Sequence, residues 1–504
     1  MGDPLQLRPS AVVTVPQVLL VWLLSSLLLL LLKWRMLGDP FYWDELACYF
    51  SQVYEMSHRL SAYLASRPMY VRSPLLTSVL ALLHHYVNDS RELQRATVLL
   101  FCALAPASAY ALACQLGGAR RVGVLAAVLC GLTPAFFAQA GLVQMDLPAT
   151  GLCTLALVCL LRGSFLGYAL LGGLAVLIKE STYWICLSAA LFTYLRLVLI
   201  DRRPPLRLGT LLRLWPTAIP GVVLFFWLLV HRRITGAMIS SDHTAVLSLG
   251  GVFPSLLHNM IEGGRLPLSL LALAYLRNVF RDPHTASPNQ QIERLGVLCT
   301  ACLWLSLPLA FPGHLVRYLL PTLPALCALA ALGVTRWPTP QRVGMSALCI
   351  GWLLLNLRGD SFHHNAPFEL EGNLSYRLLL REQRMVAQRI ADSGAQRVIA
   401  DFPFSSMLSA PPIFGYLPKP LSVTVLDRLH DPQQLCWADV VVVTQVSALS
   451  FPMLEKAKQQ GILTPWFVAA ADKFPVGKGF FTPRSARTDL TISVYRVNCP
   501  AALP

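Results

Sequence analysis

The sequence predicts an α-helical polytopic membrane protein of about eleven spans, followed by a C-terminal extracytoplasmic α/β domain. Three observations carry that prediction. Of 504 residues, 55% are hydrophobic and only 13% are charged, where a soluble protein carries about 25% charged residues. Long apolar runs recur from residue 11 to residue 357, and the mean hydropathy is +0.55. Beyond residue 357 the apolar stretches shorten and charge rises. A cytosolic enzyme is excluded by these features.

The spans follow from the length needed to cross about 30 Å of hydrocarbon, near 20 helical residues. Candidate runs fall at 11–32, 96–115, 122–139, 147–161, 164–178, 181–200, 214–231, 266–280, 295–311, 315–334 and 342–357. The run at 11–32 has no small-x-small cleavage pattern after it, so it reads as an uncleaved span. The run at 74–86 is too short to cross. It reads as a helix lying at the membrane interface.

The net charge of +15 raises the question of nucleic acid, and its distribution answers it. Residues 1–357 carry 26 basic against 14 acidic residues, and residues 358–504 carry 15 against 12. The excess sits in short loops between spans, where it orients a membrane protein. With the N-terminus in the cytoplasm, the basic loops 116–121 and 196–213 face inward, and 33–95 and 358–504 face outward. If 74–86 crossed, the Arg-rich 196–213 would lie outside, against the positive-inside bias. The expected domains are thus a membrane domain, 1–357, with a large first outer loop at 33–95, and an extracytoplasmic domain, 358–504.

In that last domain, 375–393 has helical spacing, 397–400 and 439–444 read as strands, 452–460 as a helix and 490–497 as a further strand. Of thirteen cysteines, ten lie within apolar runs, where they act as small buried side chains. Only Cys48, Cys436 and Cys499 lie outside them, so no disulfide framework is expected.

Ionisable residues at a membrane edge are costly, and their positions are informative. The orientation gathers four groups at the outer surface. Asp44 and Glu45 lie in the first outer loop, Asp146 starts the fourth span, Lys179 and Glu180 end the fifth, and Arg317 and Tyr318 start the tenth. Any one alone is explained as an anchor in the headgroups. Four on one face, mixing carboxylates with cations, fit a site for an anionic substrate. There is no P-loop, no Rossmann glycine fingerprint and no Asp-x-Asp pair for a nucleotide-sugar metal.

At these residues the chain resembles the polytopic GT-C glycosyltransferases, which include protein O-mannosyltransferases and lipid A aminoarabinose transferases. The resemblance runs over about residues 10–360 and rests on Asp44-Glu45-x-x-x-Tyr49, Arg72-Ser-Pro-Leu-Leu76, Asp146-Leu-Pro148, Lys179 and Arg317-Tyr-Leu-Leu-Pro321. It implies transfer of a sugar, hexosyl or pentosyl, from a polyprenyl-phosphate donor to a hydroxyl on an acceptor glycan, lipid or protein, with inversion. Asp44 is then the base, with Glu45 and Asp146 as further catalytic candidates. Arg72, Lys179 and Arg317 bind the donor phosphate, and Tyr49, Glu180 and Tyr318 support them. Relatives place a carboxylate and Lys where Val71 and Arg72 stand here, and the missing carboxylate weakens any carry-over of a metal. His84 and His85 are adjacent and do not share a helix face, and His363 and His364 are read no further. No metal and no cofactor is assigned, and no nucleic-acid partner is expected.

The rival readings are a transporter or flippase for a lipid-linked substrate and a non-catalytic assembly protein. A transporter would place its ionisable groups near the midplane, often in paired repeats, and neither is visible. The triplets Asn88-Asp-Ser90 and Asn373-Leu-Ser375 are glycosylation sequons. The bacterial plasma membrane is the expected location, with the endoplasmic reticulum as the alternative.

Overall fold

The computed structural model describes residues 13–65, 73–205, 207–236, 256–257, 259–261, 263–281, 288–310, 316–357, 374, 376–444, 452–469 and 492–499. Among the described residues, each apolar run coincides with helix. Along the chain these are α1 (Val15–Lys33), α2 (Phe50–Ala65), α3 (Pro74–Tyr86), α4 (Arg91–Cys102), α5 (Leu104–Gln115), α6 (Arg120–Leu132), α7 (Pro134–Gln139), α8 (Asp146–Leu161), α9 (Phe165–Ile178), α10 (Trp184–Leu195), α11 (Leu208–Leu211) and α12 (Trp215–Thr235). They continue as α13 (Leu266–Phe280), α14 (Pro288–Ala310), α15 (Leu323–Val334) and α16 (Thr339–Asn356). Among the described residues, four stretches are long and apolar enough to cross a membrane: Val15–Met36, Arg91–Gln115, Glu180–Ile200 and Leu208–Thr235. The run at 74–86 forms the separate helix α3, which buries Leu76, Leu80 and His84 along one face.

The two faces of the helical part differ in what they need. Helix α5 is buried along its whole length, and α8 nearly so, at the centre of the bundle. Gly151 lets them touch, because a Cβ there would meet the Leu104 carbonyl carbon at 2.7 Å. Helix α1 instead exposes Leu20, Leu24, Leu27 and Leu31, side chains that only hydrocarbon would solvate without cost.

Polar links fix which helix ends lie together. Arg162, after α8, donates to Gln115 Oε1 at 3.0 Å and to the Val13 carbonyl at 2.7 Å. The end of α5, the end of α8 and the start of α1 thus share one face. At the opposite face buried Lys33, closing α1, donates to the carbonyls of Ala138 and Ala140 at the end of α7.

The C-terminal part is a five-stranded mixed sheet flanked by helices, with strands β1 (Arg397–Ala400), β2 (Ser422–Val425), β3 (Val440–Thr444), β4 (Leu463–Ala469) and β5 (Ile492–Val497) in the order β2-β1-β3-β5-β4. Strand β1 runs parallel to β2 and β3, while β5 is antiparallel to β3 and β4. Strand β3 is buried at all its positions, as a Val run in a central strand should be. Val398, Ala400, Val440 and Val442 pack on one side with α17 (Tyr376–Asp392) and α18 (Phe404–Ser409), toward the helical bundle. Ile399, Val441 and Val443 pack on the other with Leu454 and Ala457 of α19 (Pro452–Gln459).

One expectation is corrected here. Cys436 and Cys499 form a disulfide, with Cα atoms 5.5 Å apart. Cys436 lies just before β3 and Cys499 just after β5, and the antiparallel pairing of those strands brings the two ends together. Such bonds persist in oxidising compartments.

Candidate functional site

The site is built on the segment that joins α1 to α2. Between Leu37 and Phe50 the chain turns through Phe41, Tyr42 and Trp43 into a π-helical turn, Glu45–Tyr49, with Asp44 at its N-terminal boundary. Trp43 has φ 45°. A bulky aromatic in the left-handed region is strained, and it persists only where its surroundings hold it. Its ring meets Phe402 of the C-terminal domain edge-on at 4.9 Å. Further contacts seat the loop on that domain. The Phe41 carbonyl accepts from Tyr416 Oη at 2.6 Å, the Phe41 N–H donates to the Phe414 carbonyl at 3.1 Å, and Asp39 pairs with Arg377 at 2.8 Å.

Beneath it, Arg95 of α4 is the anchor. Its Nε and Nη2 hold the two oxygens of Glu45 at 3.2 and 2.7 Å, and its remaining donors reach the carbonyls of Met36, Asp39 and Pro40. An arginine has five N–H donors, and all five are engaged. Glu45 also accepts from the Tyr42 N–H at 2.8 Å and from the Val143 N–H at 2.6 Å. It is fully buried.

That arrangement aims Asp44 the other way. Asp44 Oδ2 lies 2.6 Å from Arg317 Nη1, and both side chains keep some solvent contact. Arg317 belongs to a short 3₁₀ stretch, Val316–Thr322, that packs against α8. Asp146 begins α8 and pairs with Lys179, which closes α9. Its other oxygen, Oδ2, is buried and makes no hydrogen bond among the described residues. The bond from Val143 to Glu45 ties the chain just before Asp146 to the residue just after Asp44. Two carboxylate–cation pairs, Asp44–Arg317 and Asp146–Lys179, therefore stand on elements in direct contact.

The other sequence-predicted residues fall as follows. Tyr49 is buried in the π-helical turn, and Glu180 is half-buried at the start of the Glu180–Tyr183 turn beside Lys179. Tyr318 follows Arg317 in the 3₁₀ stretch. Arg72, His363 and His364 lie outside the described residues. Ser73, next to Arg72, is buried and donates to the Val176 carbonyl of α9 at 3.4 Å. Glu45 is drawn into the support of the loop rather than its open face. Sequence reasoning did not single out Arg95, although a charge at the very edge of an apolar run was the available signal.

No protein-family model matches this chain, and no curated protein matches it in sequence. Solved structures do match it in fold, among them these two. The first is ArnT from Cupriavidus metallidurans in the apo state, at TM-score 0.55 and 14% identity, over 94% of this chain and 97% of that one. The second is ArnT from the same organism bound to undecaprenyl phosphate, at TM-score 0.52 and 14% identity, over 95% and 98%. The helical bundle and the C-terminal sheet domain together thus have the fold of ArnT.

Proposed function

We propose that this protein is a membrane glycosyltransferase that moves a hexosyl or pentosyl group from a polyprenyl-phosphate donor to an acceptor hydroxyl at the outer membrane face. The observation that carries this reading is the pairing of two sequence-predicted carboxylates with two sequence-predicted cations, Asp44 with Arg317 and Asp146 with Lys179. In the reaction the acceptor oxygen attacks the anomeric carbon, its proton passes to Asp44, and the bond from that carbon to the phosphate oxygen breaks. The configuration inverts. The lipid phosphate departs with added negative charge, which fixed cations stabilise. Lys179, Arg317 and Arg72 are assigned that role. Arg317 links the two tasks, because it pairs with Asp44 and carries the charge a phosphate would seek.

The ArnT structure bound to undecaprenyl phosphate supports a donor of this lipid class. Glu45 is assigned a positioning role through Arg95. Eleven spans, division at residue 357 and an outward C-terminal domain complete the proposal, and the Cys436–Cys499 disulfide favours that direction. A bacterial plasma membrane remains our preferred location over the endoplasmic reticulum. The sugar and the acceptor class (lipid, glycan or protein) are left to experiment. Purified protein offered a panel of polyprenyl-phosphate sugars should release polyprenyl phosphate from at least one of them when acceptor is present. Release from none, with the lipid bound, would favour the non-catalytic reading.

A further inference from the structure

A second cluster of ligating side chains lies away from the carboxylate–cation pairs, where α2, α3 and the turn into α4 meet. His58 is on α2, His84 is in the last turn of α3, and Asp89 is in the turn before α4. One nitrogen from each histidine and one carboxylate oxygen lie within 4.8 Å of one another. His84 Nδ1 and Asp89 Oδ1 are already 3.3 Å apart, the separation of two ligands about 2.0 Å from a tetrahedral zinc.

His84 is the telling residue. Its side chain is 1% exposed, walled by the rings of Phe50, Tyr54 and His58. Neither of its ring nitrogens makes a hydrogen bond among the described residues. A buried polar group left so costs free energy unless something takes its lone pair or its proton.

His58 is prepared in a complementary way. Its Nδ1 lies 3.0 Å from the Tyr54 carbonyl. Ser57 Oγ lies 2.9 Å from the same nitrogen, and in the tautomer that donates from Nδ1 to the carbonyl, Nε2 keeps the lone pair. This arrangement, with one ring nitrogen donating to a carbonyl and the other free to ligate, is how metal-binding histidines are held. The adjacent His85 is exposed on the other side of α3, so the pair that adjacency suggested is not the pair the fold brings together.

We propose that His58, His84 and Asp89 form a site for a divalent transition metal, of which zinc best suits two imidazoles and one carboxylate. The fourth position is open to water. His84 is ten residues along α3 from Pro74, about 15 Å at a helical rise, so the metal is assigned no part in sugar transfer. It clips α2, whose start adjoins the Asp44 turn, to the junction of α3 and α4.

The test uses the full chain, purified in detergent with a tag lacking histidine, stripped with a chelator and titrated with zinc against a chromophoric competitor. We expect one zinc equivalent per chain, and at least tenfold weaker binding in both His58→Ala and Asp89→Asn. These two residues are exposed, so the variants should remain monodisperse, whereas His84→Ala opens a buried space. The stripped protein should also lose thermal stability that zinc, but not magnesium, restores. Absence of stoichiometric zinc, or unchanged affinity in both monodisperse variants, would overturn the proposal.

Discussion

Arg95 and Glu45 form a two-pronged ion pair whose side chains are 3% and 0% exposed, and the whole Asp44 turn hangs on it. Breaking such a pair on one side leaves a charge buried without a partner, at a cost of about 3–5 kcal/mol. Glu45→Ala is therefore expected to lower thermal stability sharply, and Arg95→Lys to do so in part, since an ammonium cannot span both oxygens and three carbonyls. Thermal unfolding in detergent reads this directly. If Glu45 were the base instead, Glu45→Gln would abolish turnover at unchanged stability.

Asp44 is expected to behave in the opposite way. Its side chain sits at the open face of the turn, where it pairs with Arg317. Asp44→Asn should keep the fold and lower turnover by about 100-fold or more, the usual size of a lost general base. Donor affinity should hold or tighten, because Arg317 is then released toward the phosphate. Near-normal turnover would remove Asp44 from the role.

Most of the helices were legible because an apolar run of span length has few other ways to fold in a membrane. The strands at 397–400 and 440–444 were legible from their buried Val and Ile. Two strands were not. Ser422–Val425 is four residues long and half-exposed at the sheet edge, and Leu463–Ala469 carries Pro465 and a register shift. The candidate residues could be named one by one, but their partners could not. Glu45 and Arg95 are 50 residues apart in sequence, and His58 meets His84 across two helices. Pairings of that kind belong to packing, which periodicity does not encode.

The C-terminal domain carries a pH-dependent group. Burial raises the Asp401 carboxyl to about 7, although the Thr444 N–H and hydroxyl, at 2.8 and 3.2 Å, partly oppose this. The folded state then holds a proton that the unfolded chain releases near pH 4. Stability is accordingly lost as pH rises from about 4 to about 7, and it is level above that. Asp401→Asn can still accept from the Thr444 N–H while donating to its hydroxyl. The variant should be more stable than the parent at pH 8, by roughly 2–4 °C for each kcal/mol recovered, and no more stable near pH 4. Hydrogen exchange at the β3 amides across that range checks it, and an unchanged slope would reassign the group.

The last prediction separates a phosphate site from ordinary anchoring. Lys179 and Arg317 both lie at helix or span ends, where cations commonly reach for headgroups. Yet their side chains are only 15% and 10% exposed, and each is paired with a carboxylate. A snorkelling cation would point into solvent. Removing Lys179 alone confounds two effects, because it also leaves Asp146 unpaired, so the informative variant is Asp146→Asn with Lys179→Met. That pair change should restore much of the stability lost by Lys179→Met. If Lys179 only balances Asp146, donor binding returns with it. If Lys179 holds the donor, binding of a non-hydrolysable polyprenyl-phosphate sugar stays weaker by about 10- to 100-fold, the scale of a lost charge-assisted contact. Arg317→Met, paired with Asp44→Asn, should weaken binding to a similar degree. Normal affinity in both double variants would mean that these cations serve the fold and that the donor phosphate is held elsewhere.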